Sequence, residues 1–237
     1  MLPNSQYETG RPRETAQALS AFMSAVYLWM MVGITISGVT AYVISSRPEV
    51  VMTIMQNKIL FYGLLIAQFG GVILLISMVQ RMSVSLASFV YVAYATLVGL
   101  TFSTLFMVYT ASSISSAFFV TGFSFAGLSV FGYTTKKDLG PIASFCMMGL
   151  FGIIGMMILG FIFPSMMSDS MQMIISFIGL IVFSGLTAYD TQRIKAMQFS
   201  YRTSEQARKG AIYGALILYL DFINLFLNIL RLIGDRR

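Results

Sequence analysis

The chain from residue 22 onward consists of long apolar runs separated by short polar breaks. Each run reaches the ~20 residues that a helix needs to cross the hydrocarbon core of a bilayer with its backbone groups paired internally. Membrane β-strands would be about half as long and would alternate apolar and polar residues. The pattern therefore predicts an all-α integral membrane protein, a seven-transmembrane-helix bundle with spans at residues 22–45, 58–79, 83–108, 111–133, 142–163, 171–193 and 210–233.

Residues 1–20 differ from the rest of the chain because they are polar and mixed in charge. They lack the short apolar core and the small-residue cleavage site of a secretory signal. We predict a polar cytoplasmic N-terminal tail over residues 1–20 and one transmembrane domain over residues 21–237. The connections between the runs are too short for a second, water-soluble domain.

The amino-acid composition excludes several kinds of catalysis and of metal site. Hydrophobic residues make up 57% of the chain, charged residues 10%, and mean hydropathy is +0.81. The sequence has no histidine, which excludes an imidazole base and the usual ligand for zinc or haem. Cys146 is the single cysteine, so neither a disulfide nor a thiolate metal cluster can form within the chain, and we expect it to be a buried packing residue. These features predict a protein that is not an enzyme and holds no resident cofactor.

The basic residues indicate how the chain crosses the membrane. The formal charge is +6, but the lysines and arginines lie between apolar runs and not in one patch, so we predict no binding to nucleic acid. An N-terminus on the cytoplasmic side gives that side ten basic residues: Arg11, Arg13, Arg81, Lys136, Lys137, Arg193, Lys195, Arg202, Arg208 and Lys209. The other side then has Arg47, Lys58, Arg231, Arg236 and Arg237, a bias that favours a cytoplasmic N-terminus. Seven spans place the basic C-terminus outside, unless the last helix re-enters or ends near the interface.

Two acidic residues lie within or at the end of apolar runs. Asp221 has apolar helix on both sides, and Asp190 lies near the cytoplasmic end of the sixth run. A charge at the bilayer centre costs ~2.5–3.5 kcal/mol on insertion scales, so it is retained where it faces a partner, a cavity or water. Arg81, at the cytoplasmic end of the second run, can fold back toward either acid.

The last run carries a polar stripe. Asp221, Asn224, Asn228 and Arg231 follow at helical spacing and share one face, and apolar side chains cover the remaining faces. This predicts a central last helix, with the other six around it, whose stripe lines a buried and partly wet path. The sixth run offers Thr187 and Asp190 at matching intervals. The two aspartates can then face each other, although counting along both helices from their shared loop places Asp221 deeper than Asp190.

Two facing carboxylates in a medium of low dielectric cannot both ionise cheaply, so such a pair shares a proton and titrates as a unit. The pair is then a pH sensor and also a hard-oxygen site suited to Ca²⁺, with Asn224 as a further ligand. Arg81 would compete with a cation for these acids. The alternative interpretation is structural: Asp190, Asp221 and Arg81 neutralise one another and fix the helix register.

Three segments resemble a known family: FGYTTKKDL at residues 131–139, GLTAYDTQ at residues 185–192 and GALILYLDFINLFLNILRL at residues 214–232. They are similar to the Bax inhibitor, or transmembrane Bax-inhibitor-motif, family, and most of all to its bacterial inner-membrane members. The resemblance implies a seven-helix bundle with a central last helix and a pH-sensitive calcium leak gated by a di-aspartyl sensor. It places the sensor on Asp190 and Asp221 and an arginine latch on Arg81.

Three functions stay open on the sequence. The first is a proton-sensitive calcium or cation leak in the bacterial inner membrane, with the lipid bilayer, Ca²⁺ and H⁺ as partners and with Asn224, Asn228 and Thr187 as candidate pore-lining residues. The second is a non-enzymatic modulator that binds a membrane-embedded protease or another membrane protein. The third is an intramembrane aspartyl protease, which the surroundings of Asp221 disfavour because they lack the glycine-bearing motif of such enzymes.

Overall fold

The computed structural model describes the backbone of residues 10–236 and the side-chain surroundings of residues 16–236; residues 1–9 of the predicted tail lie outside the described residues. The described chain folds into nine α-helices: α1 (Gly10–Ser45), α2 (Pro48–Gln56), α3 (Lys58–Met78), α4 (Val84–Phe102), α5 (Leu105–Val108), α6 (Ala111–Thr134), α7 (Gly140–Ile162), α8 (Asp169–Met197) and α9 (Ser204–Ile233). Seven of them, all except the short α2 and α5, are long and apolar enough to span a membrane. The predicted all-α membrane bundle of seven spanning helices is therefore confirmed.

The helix starts follow from local capping. Four spanning helices start at a serine or threonine whose side-chain oxygen accepts a hydrogen bond from the backbone N–H three residues further on. This bond satisfies an N–H group that would otherwise have no partner. These N-caps are Ser83, Thr110, Ser168 and Thr203. Each lies in one of the polar breaks that separate the apolar runs.

The third apolar run is not one helix, as its length suggests, but breaks between α4 and α5. The hydroxyl groups of Ser103 and Thr104 donate to the carbonyl oxygens of Leu100 and Thr101, both at 2.7 Å. Such local bonds compete with the helical ladder. The first helix also differs from the prediction, since α1 begins at Gly10 and thus extends into the polar segment.

Helix α9 lies at the centre of the bundle, as predicted. Sixteen of its residues are buried, and it packs against α1, α4, α6 and α8. The prediction that the other six helices surround α9 is wrong, because α3 packs mainly on α4 and α7 mainly on α8. Both outer helices are apolar on every face and bury little: only Leu75 in α3, and Ala143 and Cys146 in α7.

The chain ends on the side of the bundle opposite to the start of α9. Helix α9 is continuous, so it does not re-enter. Beyond it, the backbone N–H of Thr110 donates to the carbonyl oxygen of Asp235 at 3.2 Å, and Arg236 forms a 3.1 Å ion pair with Asp169. We call this the far side. The opposite side, with the α3–α4, α6–α7 and α8–α9 connections, is called the basic side.

Candidate functional site

The side chains of Asp190 on α8 and Asp221 on α9 line the same cleft, and their carboxyl groups are close enough to interact with each other. Asp221 is 5% exposed, whereas Asp190 is half-buried. The two helices pack side by side and antiparallel, joined by a short turn. The structure therefore brings together the two acids that the sequence singles out.

The register of α8 and α9 explains why Asp221 is not deeper than Asp190. The ring of Tyr201, in the turn, lies against the backbone of Gly210. The first turns of α9 therefore extend past the end of α8. The depths of Asp190 and Asp221 are compared by counting residues from the contact between Tyr201 and Gly210, and not from the loop. Asp190 precedes Tyr201 by eleven positions and Asp221 follows Gly210 by eleven, which at ~1.5 Å per residue gives equal depth.

A hydrogen bond between the carboxyl groups of Asp190 and Asp221 requires a proton on one of them. Two ionised carboxylates contain no donor, so a hydrogen bond between them exists only when one of them is protonated. Oδ2 of Asp221 is buried, and within the described residues no N–H or O–H group donates to it. A buried acceptor without a donor is costly, and a proton shared with Asp190 removes that cost.

The aspartate pair lies in a cleft of about 930 Å³ between α7, α8 and α9. The cleft extends to the exposed residues Asp138 and Arg193 on the basic side, and inward to Asn224. The amide nitrogen of Asn224 donates to the carbonyl of Leu220 at 2.8 Å, which leaves its side-chain oxygen for another partner. The cleft thus provides a polar route from the basic surface to the two carboxyl groups.

The other two candidate pore-lining residues lie outside this cleft. Thr187 is fully buried and its hydroxyl donates to Phe183 O at 2.7 Å. Asn228 is 8% exposed and packs on the backbone of Gly179. Toward the far side, α9 presents the buried apolar side chains of Phe222, Leu225 and Phe226. The polar route therefore narrows into apolar packing beyond Asn224.

Arg81 lies in a 3-10 turn, Val79–Arg81, between α3 and α4, and is exposed. Neither of the ion pairs found among residues 16–236 includes it. The preceding residue is tied to the central helix, because Lys209 of α9 donates to the carbonyl oxygen of Gln80 at 3.0 Å. This tether holds the turn that carries Arg81 against the start of α9.

The positive charge that faces Asp190 is Arg193, which sequence reasoning assigned only to the basic loops. Arg193 lies three residues after Asp190, one helical turn along α8, and lines the same cleft. The signal that could have revealed it is this i, i+3 spacing within a continuous helix.

The ligands at the pair suit a hard cation that binds transiently. Asp190, Asp221 and Asn224 offer oxygen atoms, which Ca²⁺ prefers over nitrogen or sulfur. In the part of the chain that the structure describes, no group of three or more acidic, cysteine or histidine side chains converges. A site with two carboxylates binds more weakly than a dedicated metal cage.

Comparisons with known proteins place the chain in a family. The family described as inhibitor of apoptosis-promoting Bax1 matches residues 19–237. Inner membrane protein YbhL of Escherichia coli (strain K12) is 42% identical over 221 residues, covering 92% of this chain and 93% of the relative. An uncharacterized protein of Borreliella burgdorferi is 37% identical, covering 91% of this chain and 92% of the relative, and one of Deinococcus radiodurans is 35% identical over the full length of both.

The match extends across all seven membrane-spanning helices and includes the three sequence motifs, one at the α6–α7 connection and two within α8 and α9. The same motifs supply the two helices on which Asp190 and Asp221 meet. The chain therefore belongs to the Bax inhibitor family of membrane proteins.

Proposed function

We propose that this protein is a proton-sensitive cation leak, chiefly for Ca²⁺, whose sensor is the Asp190–Asp221 pair. The observation that carries the proposal is the meeting of two carboxyl groups from successive helices at the inner part of a cleft that extends to the protein surface. A sensor or an ion site needs such access, because protons and cations must reach the carboxyl groups from the surface. The proposal includes no catalytic step.

The pair acts as a switch because protons and cations compete for it. With one shared proton the site carries a single negative charge, and loss of that proton adds a second. Ca²⁺ binding at the pair therefore strengthens as pH rises, and acidification displaces the ion. Arg193 lies one helical turn from Asp190 at the mouth of the cleft, where it is a competing cation for the acids. Arg81 is the proposed latch, which reaches the acids when the α3–α4 turn moves inward.

Permeation also requires the far side to open. Phe222 and Phe226 are buried next to a small apolar cavity of about 90 Å³ between α1, α4, α5, α6 and α9. An ion cannot cross this packing as it stands. We propose that a shift of α9 against α1, α4 and α6, driven by the charge state of Asp221, widens this region.

The proposed location is the bacterial inner membrane with a cytoplasmic N-terminus. Support comes from the excess of basic residues on the basic side and from the similarity to YbhL of Escherichia coli, which is named as an inner membrane protein. The cleft then extends to the cytoplasm, and Ca²⁺ would meet the aspartate pair from there.

The test is Ca²⁺ flux into proteoliposomes that contain a Ca²⁺-sensitive dye, measured over a series of pH steps. We expect the wild-type protein to give flux that changes with pH. Asp221→Asn should remove the pH response and reduce flux about tenfold or more, because losing one of two carboxylate ligands costs more than ~1.4 kcal/mol in a site of low dielectric.

Asp235→Asn is the matched control, since it removes one carboxylate from an exposed position beyond α9. It should leave both the flux and its pH response unchanged. Flux from the wild-type protein that is indifferent to pH and to Asp221→Asn would overturn the proposal.

A further inference from the structure

A long groove separates α1 from α6 on the outer surface of the bundle. Both helices pack on the central α9, and the groove between them has a volume of about 540 Å³. Its floor includes Phe125 of α6 and Phe222 of α9, and methionines of α1 line one wall. The groove is independent of the aspartate cleft, which lies on the α7 side of the bundle.

The groove has the length and depth of one leaflet of a bilayer. It runs from Ser20, near the basic-side end of the apolar span of α1, and Thr134, the last residue of α6, to Met31 and Gly122. At ~1.5 Å per residue this path along α1 is ~17 Å, close to half of the ~30 Å hydrocarbon core. The groove therefore starts at the membrane surface on the basic side and ends near the bilayer centre.

The lining of the groove suits a hydrocarbon chain. Most of the side chains along its length are apolar, with Met23, Met30 and Met31 on α1 and Phe125 and Val130 on α6. Because the groove is open on the outer surface of the bundle, an acyl chain of a neighbouring lipid can enter it directly from the bilayer.

The mouth of the groove is polar and positively charged. Tyr133 and Thr134 line its end, and the exposed Lys136 and Lys137 follow directly. Lys195 of α8 donates to the carbonyl oxygen of Tyr133 at 2.8 Å and lies 4.6 Å from the centre of its ring. The nearby Asp138 lines the aspartate cleft on the other side of α6. It is not part of the groove lining, so it adds no negative charge there.

We propose that this groove binds one acyl chain of an anionic phospholipid from the basic-side leaflet, with the phosphate headgroup at Lys136 and Lys137. The chain fills the gap between α1 and α6 down to Phe222, and the lysines select a headgroup with net negative charge. The bound lipid then completes the wall of the bundle on the face where α1 and α6 do not pack on each other.

Native mass spectrometry tests this directly. The full-length protein is equilibrated with an equimolar mixture of phosphatidylglycerol and phosphatidylethanolamine in detergent, and the lipids that remain bound in the gas phase are identified by mass. We expect the wild-type protein to retain one phosphatidylglycerol in preference to phosphatidylethanolamine.

Two glycines of α6 offer a matched pair of blocking variants. A Cβ atom added at Gly122 or at Gly127 meets no atom within 4 Å, so a side chain can be attached at either position without a clash at its base. Gly122 lines the groove and Gly127 does not. Gly122→Phe should lose the bound lipid and Gly127→Phe should keep it, with Ala126→Phe as a second variant that blocks the middle of the groove.

The headgroup is tested with Lys136→Gln/Lys137→Gln. This double variant should still retain a lipid but lose the preference for phosphatidylglycerol. Equal lipid retention by the groove-blocking variants and by Gly127→Phe would overturn the proposed groove. Unchanged phosphatidylglycerol preference in the lysine double variant would overturn the assignment of the headgroup site.

Discussion

A pair of buried hydroxyl groups fixes the position of the central helix at the level of single residues. The hydroxyls of Ser37 on α1 and Tyr219 on α9 are 2.6 Å apart, and Ser37 Oγ also lies 2.8 Å from the carbonyl oxygen of Ala95 on α4. Ser37 is 2% exposed and Tyr219 is fully buried. Three helices therefore meet at one serine, whose partner Tyr219 precedes Asp221 by two residues.

This contact predicts a non-additive effect on stability. Ser37→Ala leaves the buried hydroxyl of Tyr219 without its partner, and Tyr219→Phe removes one of the bonds of Ser37 while its bond to Ala95 remains. Each substitution should destabilise the protein by ~1–2 kcal/mol. The double variant should be more stable than the sum of the single effects predicts, by ~0.6 kcal/mol and at most ~1.7 kcal/mol. Reversible unfolding in detergent measures the unfolding free energy of the two single variants and of the double variant.

Tyr62→Phe serves as the control because Tyr62 is 44% exposed. It should change the unfolding free energy by less than ~0.5 kcal/mol. Strictly additive single effects would contradict the coupling between Ser37 and Tyr219.

Single residues also show where sequence reasoning succeeds. Asp190 and Asp221 stand out because a carboxylate in an apolar run is costly without a partner, and the structure provides that partner. Arg193 was missed because a cation after an apolar run is usually a topological signal. The roles of all six candidate site residues stay predictions: Asp190, Asp221, Arg81, Asn224, Asn228 and Thr187. Their side-chain directions depend on tertiary packing that helical spacing alone does not specify.

At the scale of elements, α6 and α8 approach most closely at Gly132. A Cβ atom placed there would overlap the backbone carbonyl of Ala188, two residues before Asp190. Backbone atoms cannot move aside as the end of a flexible side chain can. Gly132 therefore sets the separation between α6 and the helix that carries Asp190, as small residues do in membrane helix pairs.

Gly132→Ala should lower the unfolding free energy by ~1–3 kcal/mol, because the added methyl group forces the two helices apart. Gly127→Ala, on the same helix but in open space, should be neutral or slightly stabilising. Thermal unfolding of the two variants in detergent distinguishes these outcomes. Equal melting temperatures for both would contradict the role assigned to Gly132.

The elements themselves were predictable to different degrees. The seven spans follow from run length alone, and serine or threonine N-caps mark the starts of four of them. The positions of α3 and α7 were not predictable, because helices that are apolar on all faces give no direction in which to pack. The break between α4 and α5 depends on two hydroxyl groups whose bonds compete with the helix.

For the whole molecule, the arrangement of polar and apolar packing makes access to the aspartate pair one-sided. The cleft extends to Asp138 and Arg193 on the basic side, whereas the far side is closed by apolar packing around Phe226. The C-terminal ion pair between Arg236 and Asp169 lies on that closed side. With a cytoplasmic N-terminus, water reaches the acids from the cytoplasm.

Cysteine labelling in membrane vesicles tests both the cleft and the orientation. Cys146 is buried against Val182 and Leu186, as expected for a packing residue, and Cys146→Ala provides a background without thiols. In that background Met147→Cys places a thiol in the cleft, and Met148→Cys places one on the neighbouring, 72% exposed face. Ser112→Cys places one on the far side.

A membrane-impermeant maleimide reacts with thiolates, which form in water and not in hydrocarbon. Met147→Cys should therefore label in inside-out vesicles, Ser112→Cys in right-side-out vesicles, and Met148→Cys in neither, since its thiol faces lipid. Equal labelling at positions 147 and 148 would mean that the cleft holds no water. Labelling of both Met147→Cys and Ser112→Cys from the sides opposite to those expected would reverse the orientation, and the aspartate pair would then sense the pH of the external medium.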